Sequence, residues 1–364
     1  MRALELNPAK LPILFRKELE LCKIKPGNTI LLLTDLKTRT DYVQAAFAAG
    51  EELGARVLEL KVGAPFATGM IASFGGADAI ENLPSVSNAV ENSDLVLVFH
   101  VSLGAPWMQR ARKKGVRFLM VLDGPDELER LMSPVGLKEA VTYTRDLIAR
   151  SKELQVLSDA GTNFVAKLGE LKTLCQYGFA DEPGVVDTWG GAHASTWANP
   201  GSCEGTVVVQ AGDCWTFPYV RYVEVPLKLT IEKGCVRKVE GEGVDARLLT
   251  RFCDGFRKHP GDMEPYAVSH LGWGMHPNSL FNQIAIHGNE MDRIHSDSRA
   301  WPGVFLFSTG PDDQGGGRNS TAAHVDFPLF GCTVKLDGCT VIERGTTVDK
   351  KMIVQPTHAR SIAA

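Results

Sequence analysis

Two hydrophobic patterns divide this chain. Up to about residue 155, short continuous apolar runs alternate with stretches of helical spacing. Residues 12–22 carry apolar side chains at helical intervals, and Lys25-Pro26-Gly27-Asn28 then turns the chain into the run TILLLTD at 29–35. An unbroken apolar run bounded by turn residues predicts a buried strand. The Ala-rich stretch 40–53 opens at Thr40, a residue suited to start a helix. The spacing goes on to predict strands over 56–62, 94–99 and 116–122, and helices over 84–91, 104–114 and 137–153. Alternation of this kind predicts an open, mostly parallel α/β sheet. Ligands of such sheets bind beyond the strand ends, where Asp35, His100 and Asp123 fall. No GxGxxG follows the first strand, so no dinucleotide site is predicted.

Past residue 155 the pattern turns β-rich. Runs at 205–210, 219–225 and 227–234 predict strands, the last with the period-2 alternation of a half-buried one. Residues 333–336 and 340–343, joined through Asp337-Gly338, predict a hairpin. A short helix is expected over 244–256, with Leu248, Leu249 and Phe252 on one side. The expected organisation is an α/β domain over 1–155 followed by a β-rich α+β catalytic domain over 156–364. Residues 176–205 are rich in Gly, Pro and aromatics with little periodicity, so they read as an irregular connection or a binding-site wall. The tail from about 350 is expected on the surface.

Composition narrows the function classes. A formal charge of −4 and a pI near 6.2 offer no electrostatic argument for nucleic acid. The first residues lack the apolar core of a leader, and no apolar run reaches the roughly 18 residues of a membrane span. A cytoplasmic protein without membrane contact is therefore expected. The eight cysteines form no CxxC pair, which argues against a zinc knuckle or redox dithiol and for free thiols in a reducing compartment.

The chemistry gathers in residues 266–330, which hold His270, His276, His287, His295 and His324. The tightest signal is His324-Val325-Asp326. In a strand, residues i and i+2 point to one side about 6–7 Å apart, so this imidazole and carboxylate could reach one metal ion. His270, just before the turn Leu271-Gly272-Trp273-Gly274, is the best candidate for a third ligand. Two His and one carboxylate with open positions is the pattern of non-heme Fe(II) oxygenases. His276, His287 and His295 are expected to form hydrogen bonds or support the ligands. The glycines at 315–317 could close a loop over substrate, with Arg318 as donor to an anionic oxygen. Asp187, Trp189, His193 and Glu204 complete the inventory of the 176–205 stretch.

Several longer motifs carry a resemblance: YGFADEPG (177–184), EGTVVV (204–209), SHLGWG (269–274), FLFSTGP (305–311) and GGGRN with AAHVDFPL (315–329). In this order they resemble the 2,5-dihydroxypyridine 5,6-dioxygenases of bacterial nicotinate breakdown, a family related to metal-dependent leucyl aminopeptidases of the thermophilic type. The resemblance runs from about residue 15 to 345. It implies that His270, His324 and Asp326 hold Fe(II), and that a hydroxylated N-heterocycle and O2 are the substrates. It further implies ring opening with insertion of both oxygen atoms, no organic cofactor, and a homo-oligomer. Glu204, Asp187, Trp189 and Ser308 would support the ligands or line the substrate. The related aminopeptidases carry Glu where His270 stands and use a second Glu at the place of Glu204, around two metals.

The chain departs from the family where a base is expected. Thr188 stands in place of the His before Trp189, and Gln176 replaces a Glu. A threonine hydroxyl takes no proton near neutral pH. His193, with an ordinary pKa of about 6.5, is expected to serve as base. An already ionised substrate or Asp187 is the alternative. A metal-dependent aminopeptidase or amidohydrolase, or a non-enzymatic binding module, are the competing classes.

Overall fold

The computed structural model describes residues 8–63, 80, 81, 83–100, 105–287 and 296–356. By compactness the chain divides into two units, the first built on Met1–Ser133 and Gln176–Gly191, the second on Pro134–Cys175, Ala192–Met291 and His295–Ala364. The fold is an α/β unit with a parallel sheet and a β-rich unit of antiparallel sheets.

The parallel sheet runs in the order Arg56–Lys61, Thr29–Thr34, Leu95–Val98, Arg117–Met120, Val186–Thr188. Ile30 to Leu33 and Leu95 to Val98 are buried throughout, which explains their unbroken apolar runs. Helices Leu11–Leu21, Thr40–Glu52, Pro84–Glu91 and Pro106–Lys113 occupy the predicted intervals.

The compact units differ from a single cut at residue 155 in two places. The second unit begins at Pro134, so the helix expected over 137–153 belongs to it; that helix ends at Arg150, and Glu153–Leu157 follows as a strand. Leu154 and Val156 are buried there between half-exposed neighbours, an alternation too short to stand out beside a helical stretch. Within 176–205, Val186–Thr188 adds a fifth parallel strand beside Arg117–Met120 and His193–Trp197 joins an antiparallel sheet, so the stretch is partly ordered pairing instead of one irregular loop. Strands of three to five residues that pair with distant segments leave almost no local period. The strand expected over 219–225 shrinks to Arg221–Tyr222, paired with Cys214–Trp215.

The second unit contains an eight-stranded and a five-stranded sheet. The expected hairpin forms between Thr333–Leu336 and Cys339–Glu343, with Asp337 at φ 47° and Gly338 at φ 81° supplying the left-handed turn. The five-stranded sheet runs Val325–Leu329, Phe305–Thr309, Val268–Gly274, His193–Trp197, Thr173–Gln176. Phe305 and Phe307 are fully buried, and Phe307 meets Phe164 of the eight-stranded sheet edge-on at 5.9 Å. Burying such a side chain contributes roughly 1.5–3 kcal/mol, which anchors this face as core. Ser308 and Asp326, offset by one residue, turn to the other side. All eight cysteines are free thiols. No helix among the described residues is long and apolar enough to cross a membrane.

Candidate metal centre

The two strands that flank Phe305–Thr309 deliver three donor atoms to one point. Asp326 lies opposite Ser308 in the ladder, and His324 immediately precedes its strand. His270 sits where the pairing register slips between Val268 and Leu271. A bulge of this kind re-aims side chains at an edge of regular pairing. His270 Nε2 stands 3.0 Å from Asp326 Oδ1, His324 Nε2 stands 3.1 Å from the same oxygen, and the two nitrogens are 3.4 Å apart. Metal–ligand bonds of about 2.1 Å at right angles separate neighbouring donors by about 3 Å, so the triangle matches one face of an octahedron. Among the described residues, this is the group of His, Cys, Asp or Glu side chains placed to hold a metal ion.

The chemistry of the donors agrees with that geometry. His324 Nδ1 lies 3.1 Å from the Thr309 carbonyl; donating its proton there leaves Nε2 with a lone pair turned inward. Burial pushes His270 below its ordinary pKa, with further lowering from His324 and Arg299 against the pull of Asp326. Burial would raise the Asp326 carboxyl, but the adjacent His324 and His270 outweigh it and hold the group well below the usual carboxylate range. Neither Asp326 oxygen has a hydrogen-bond partner. Lone pairs facing one another about 3 Å apart in a buried place repel unless a cation lies between them. The residues present therefore fit a divalent metal with open positions, the set suited to Fe(II).

The surroundings hold this arrangement in place. Ser308 Oγ donates to the His270 carbonyl at 2.7 Å, and the Asp326 backbone pairs with Thr216 and Phe217 on its free side. Trp197 meets His270 edge-on at 6.1 Å, and Phe217 lies 6.0 Å from the His324 ring. His193 pairs with Gly274 and Ser195 with Gly272, which places both beside the His270 strand. Burial pushes the His193 pKa down to about 3, helped by Arg299 and His270 and opposed by Asp326. The value near 6.5 expected from sequence ignores that desolvation; the imidazole is neutral across the physiological range. Arg299, which local sequence did not single out, is buried with Nη1 3.5 Å from Asp326 Oδ2. Its only sequence signal is position inside the His-rich stretch.

The remaining candidates are not among the three donors. Asp187, Thr188 and Trp189 belong to the parallel-sheet unit. Asp187 accepts from the backbone N–H groups of Tyr177, Gly178 and Thr188, while burial raises its pKa to about 8 against those bonds. Thr188 Oγ1 accepts from Gln176 Nε2 at 3.2 Å, so the two substituted positions pair with each other. The Trp189 indole donates to the Leu128 carbonyl and packs on Phe15 in the core. Glu204 is exposed and accepts from the Lys233 N–H, outside the donor cluster. Arg318 is exposed. His276 is buried, its Nδ1 accepting from the Asn278 N–H at 3.2 Å. His295 and the side chain of His287 lie outside the described residues.

The family profile NicX, 2,5-dihydroxypyridine 5,6-dioxygenase, matches residues 10–349. The chain belongs to this dioxygenase family. It is 32% identical over 344 residues to the 2,5-dihydroxypyridine 5,6-dioxygenase of Pseudomonas putida KT2440, covering 93% of this chain and 96% of that one. The solved structure of the 2,5-dihydroxypyridine dioxygenase from the same organism superposes with a TM-score of 0.90 at 31% identity, covering 96% of this chain and all of that one. AmpT from Thermus thermophilus shares the fold at a TM-score of 0.63 and 14% identity, over 93% of this chain and 99% of its own. The dioxygenase family is thus the one that the motifs indicate.

Proposed function

We propose that this chain is an Fe(II)-dependent ring-cleaving dioxygenase of hydroxylated N-heterocycles, with 2,5-dihydroxypyridine, opened to N-formylmaleamate, as leading substrate. The observation that carries the reading is the triangle of His270, His324 and Asp326 donor atoms in a chain of this family. These three residues would hold the metal. Iron(II) bound there supplies the one-electron chemistry that lets a ring and O2 react despite the spin barrier. His193, beside the His270 strand, is the group proposed to take the proton from a ring hydroxyl as the substrate docks, and the bound substrate must offset the burial that lowers its pKa in the free site. Trp197 and Phe217, packed on the two imidazoles, limit access of water and offer flat surfaces to an aromatic ring. Both oxygen atoms of O2 enter the product, so no organic reductant is consumed.

Protein reconstituted with Fe(II) without oxygen should hold about one iron per chain, as a three-donor face implies. Oxygen uptake is then screened against dihydroxypyridines, hydroxyquinolines and aminophenols. Two hydrolytic metals per chain, with release of leucine from a peptide analogue, would overturn the reading in favour of the aminopeptidase class. Glu204, outside the donor cluster, argues for one metal. The same reading takes the β-rich part as the catalytic domain, the α/β part as scaffold, and the assembly as a homo-oligomer, which light scattering tests. Eight free thiols support a reducing, cytoplasmic setting.

A further inference from the structure

Arg299 carries chemistry that the metal face does not use. Its side chain is 10% exposed, yet its closest charge contact, Nη1 to Asp326 Oδ2 at 3.5 Å, is longer than the roughly 2.7–2.9 Å of a strong charge-assisted bond. Its Nε is buried without a hydrogen-bond partner, and the guanidinium lies 5.7 Å from the Phe217 ring centre. A buried donor left unmade is costly, so a fork aimed this way calls for an acceptor that arrives with a ligand.

The placement is built into the sheet. A Cβ on Gly274 would stand 2.4 Å from the Arg299 carbonyl oxygen, 2.4 Å from Ala300 C and 2.5 Å from Trp301 O, so only glycine admits this backbone against the strand. Around the guanidinium stand Asp326 and the imidazoles of His193 and His270. Asp326 and Arg299 cancel, and a divalent ion leaves the site doubly positive. Such a site favours an anion over a neutral ring.

Resting on the dioxygenase reading, we infer that Arg299 binds an ionised ring oxygen of the substrate and selects hydroxylated rings in their anionic form. Pairing that oxygen with a guanidinium makes proton loss from the ring favourable. It thereby eases the demand for a strong base in a chain that has Thr188 at the family's histidine position.

The test is an anaerobic titration of the iron-loaded protein with 4-nitrocatechol, whose visible spectrum separates its ionised forms. The parent should bind the ionised probe near neutral pH. Arg299→Gln should raise Kd by about tenfold to a hundredfold, the worth of a charged hydrogen bond, and shift the bound probe toward its protonated spectrum. Arg299→Lys, a point charge without the planar fork, should fall between the two. Iron analysis of each variant separates weakened anion binding from loss of metal. A Kd within about twofold of the parent and an unchanged bound spectrum in Arg299→Gln, at equal iron content, overturn the inference. A second measurement needs no variant: affinity of the parent that fails to strengthen as the probe ionises overturns it equally. Oxygen uptake in the same preparation tests the underlying reading separately. Arg299-dependent probe binding without uptake sinks only the dioxygenase assignment, and uptake with Arg299-independent binding sinks only this inference.

Discussion

At the scale of single residues, function follows from a repulsion. His270, His324 and Asp326 bring donor atoms within 3.0–3.4 Å of one another, and Arg299 approaches only the other Asp326 oxygen, at 3.5 Å. A bound metal relieves that repulsion, so metal should raise the unfolding temperature by the binding linkage, on the order of 3 kcal/mol at a hundredfold excess over Kd. Asp326→Asn should abolish this shift along with iron retention and oxygen uptake, measured by melting with and without metal. His193 makes a different prediction. Its replacement by Ala should lower turnover by about 10²–10⁴-fold with iron content unchanged. The folded pKa of about 3 lies below the unfolded value of about 6.5. The unfolded chain therefore takes up this proton first as pH falls, and stability declines from about pH 6.5 downward. His193→Gln should flatten that decline in urea midpoints compared at about pH 7.5 and pH 5. An unchanged slope would show that other groups carry it.

At the scale of elements, alternation and one bulge do most of the positioning. The strand Phe305–Thr309 puts phenylalanines into the core and Ser308 toward the site, and its neighbour does the same with Phe327 and Asp326. The HVD spacing made that pair legible from sequence, since period 2 is a local property. The bulge at His270 was not legible, because it exists only relative to the partner strand. Gly274 shows the same limit: its role is set by the backbone of Arg299–Trp301, which folds back upon it. Gly274→Ala should cost about 1–3 kcal/mol through overpacking. Its oxygen-uptake KM should rise as Arg299 is displaced, while iron binding is largely kept. An Ala variant with parental stability and KM would mean that the backbone yields without cost.

At the scale of the whole molecule, buried acids and a buried imidazole respond to pH in opposite directions. In the parallel-sheet unit, Glu18 is buried with both carboxyl oxygens unpartnered, and burial raises its pKa well above the ordinary value. Asp187 is raised by burial to about 8. Acids with raised folded values favour the fold while protonated, and that contribution fades as pH climbs from about 4 through the folded value. In the β-rich unit, His193 weakens the fold as pH falls below about 6.5, whereas Asp213, raised by burial to about 7, acts as Asp187 does on the alkaline side. Hydrogen-exchange protection of Thr29–Thr34 should thus drop between about pH 5 and pH 8, while that of Val268–Gly274 should drop toward pH 5. Glu18→Gln should lessen the alkaline loss in the first unit alone. Parallel changes in both units would refute independent titration.

What the chain determines locally was readable from its residues: the apolar runs of the parallel sheet, the Asp337-Gly338 hairpin, the HVD pair, and motifs specific enough to indicate the family. Each depends on neighbours a few positions apart, where backbone geometry alone sets the pattern. Tertiary structure decided the rest. It drew Val186–Thr188 out of an apparent loop into a sheet, drove His193 to a neutral state by desolvation, and seated Arg299 instead of Arg318 beside the donor triangle. Burial, long-range pairing and the electrostatic field of a site arise between segments far apart in the chain, so no local pattern records them.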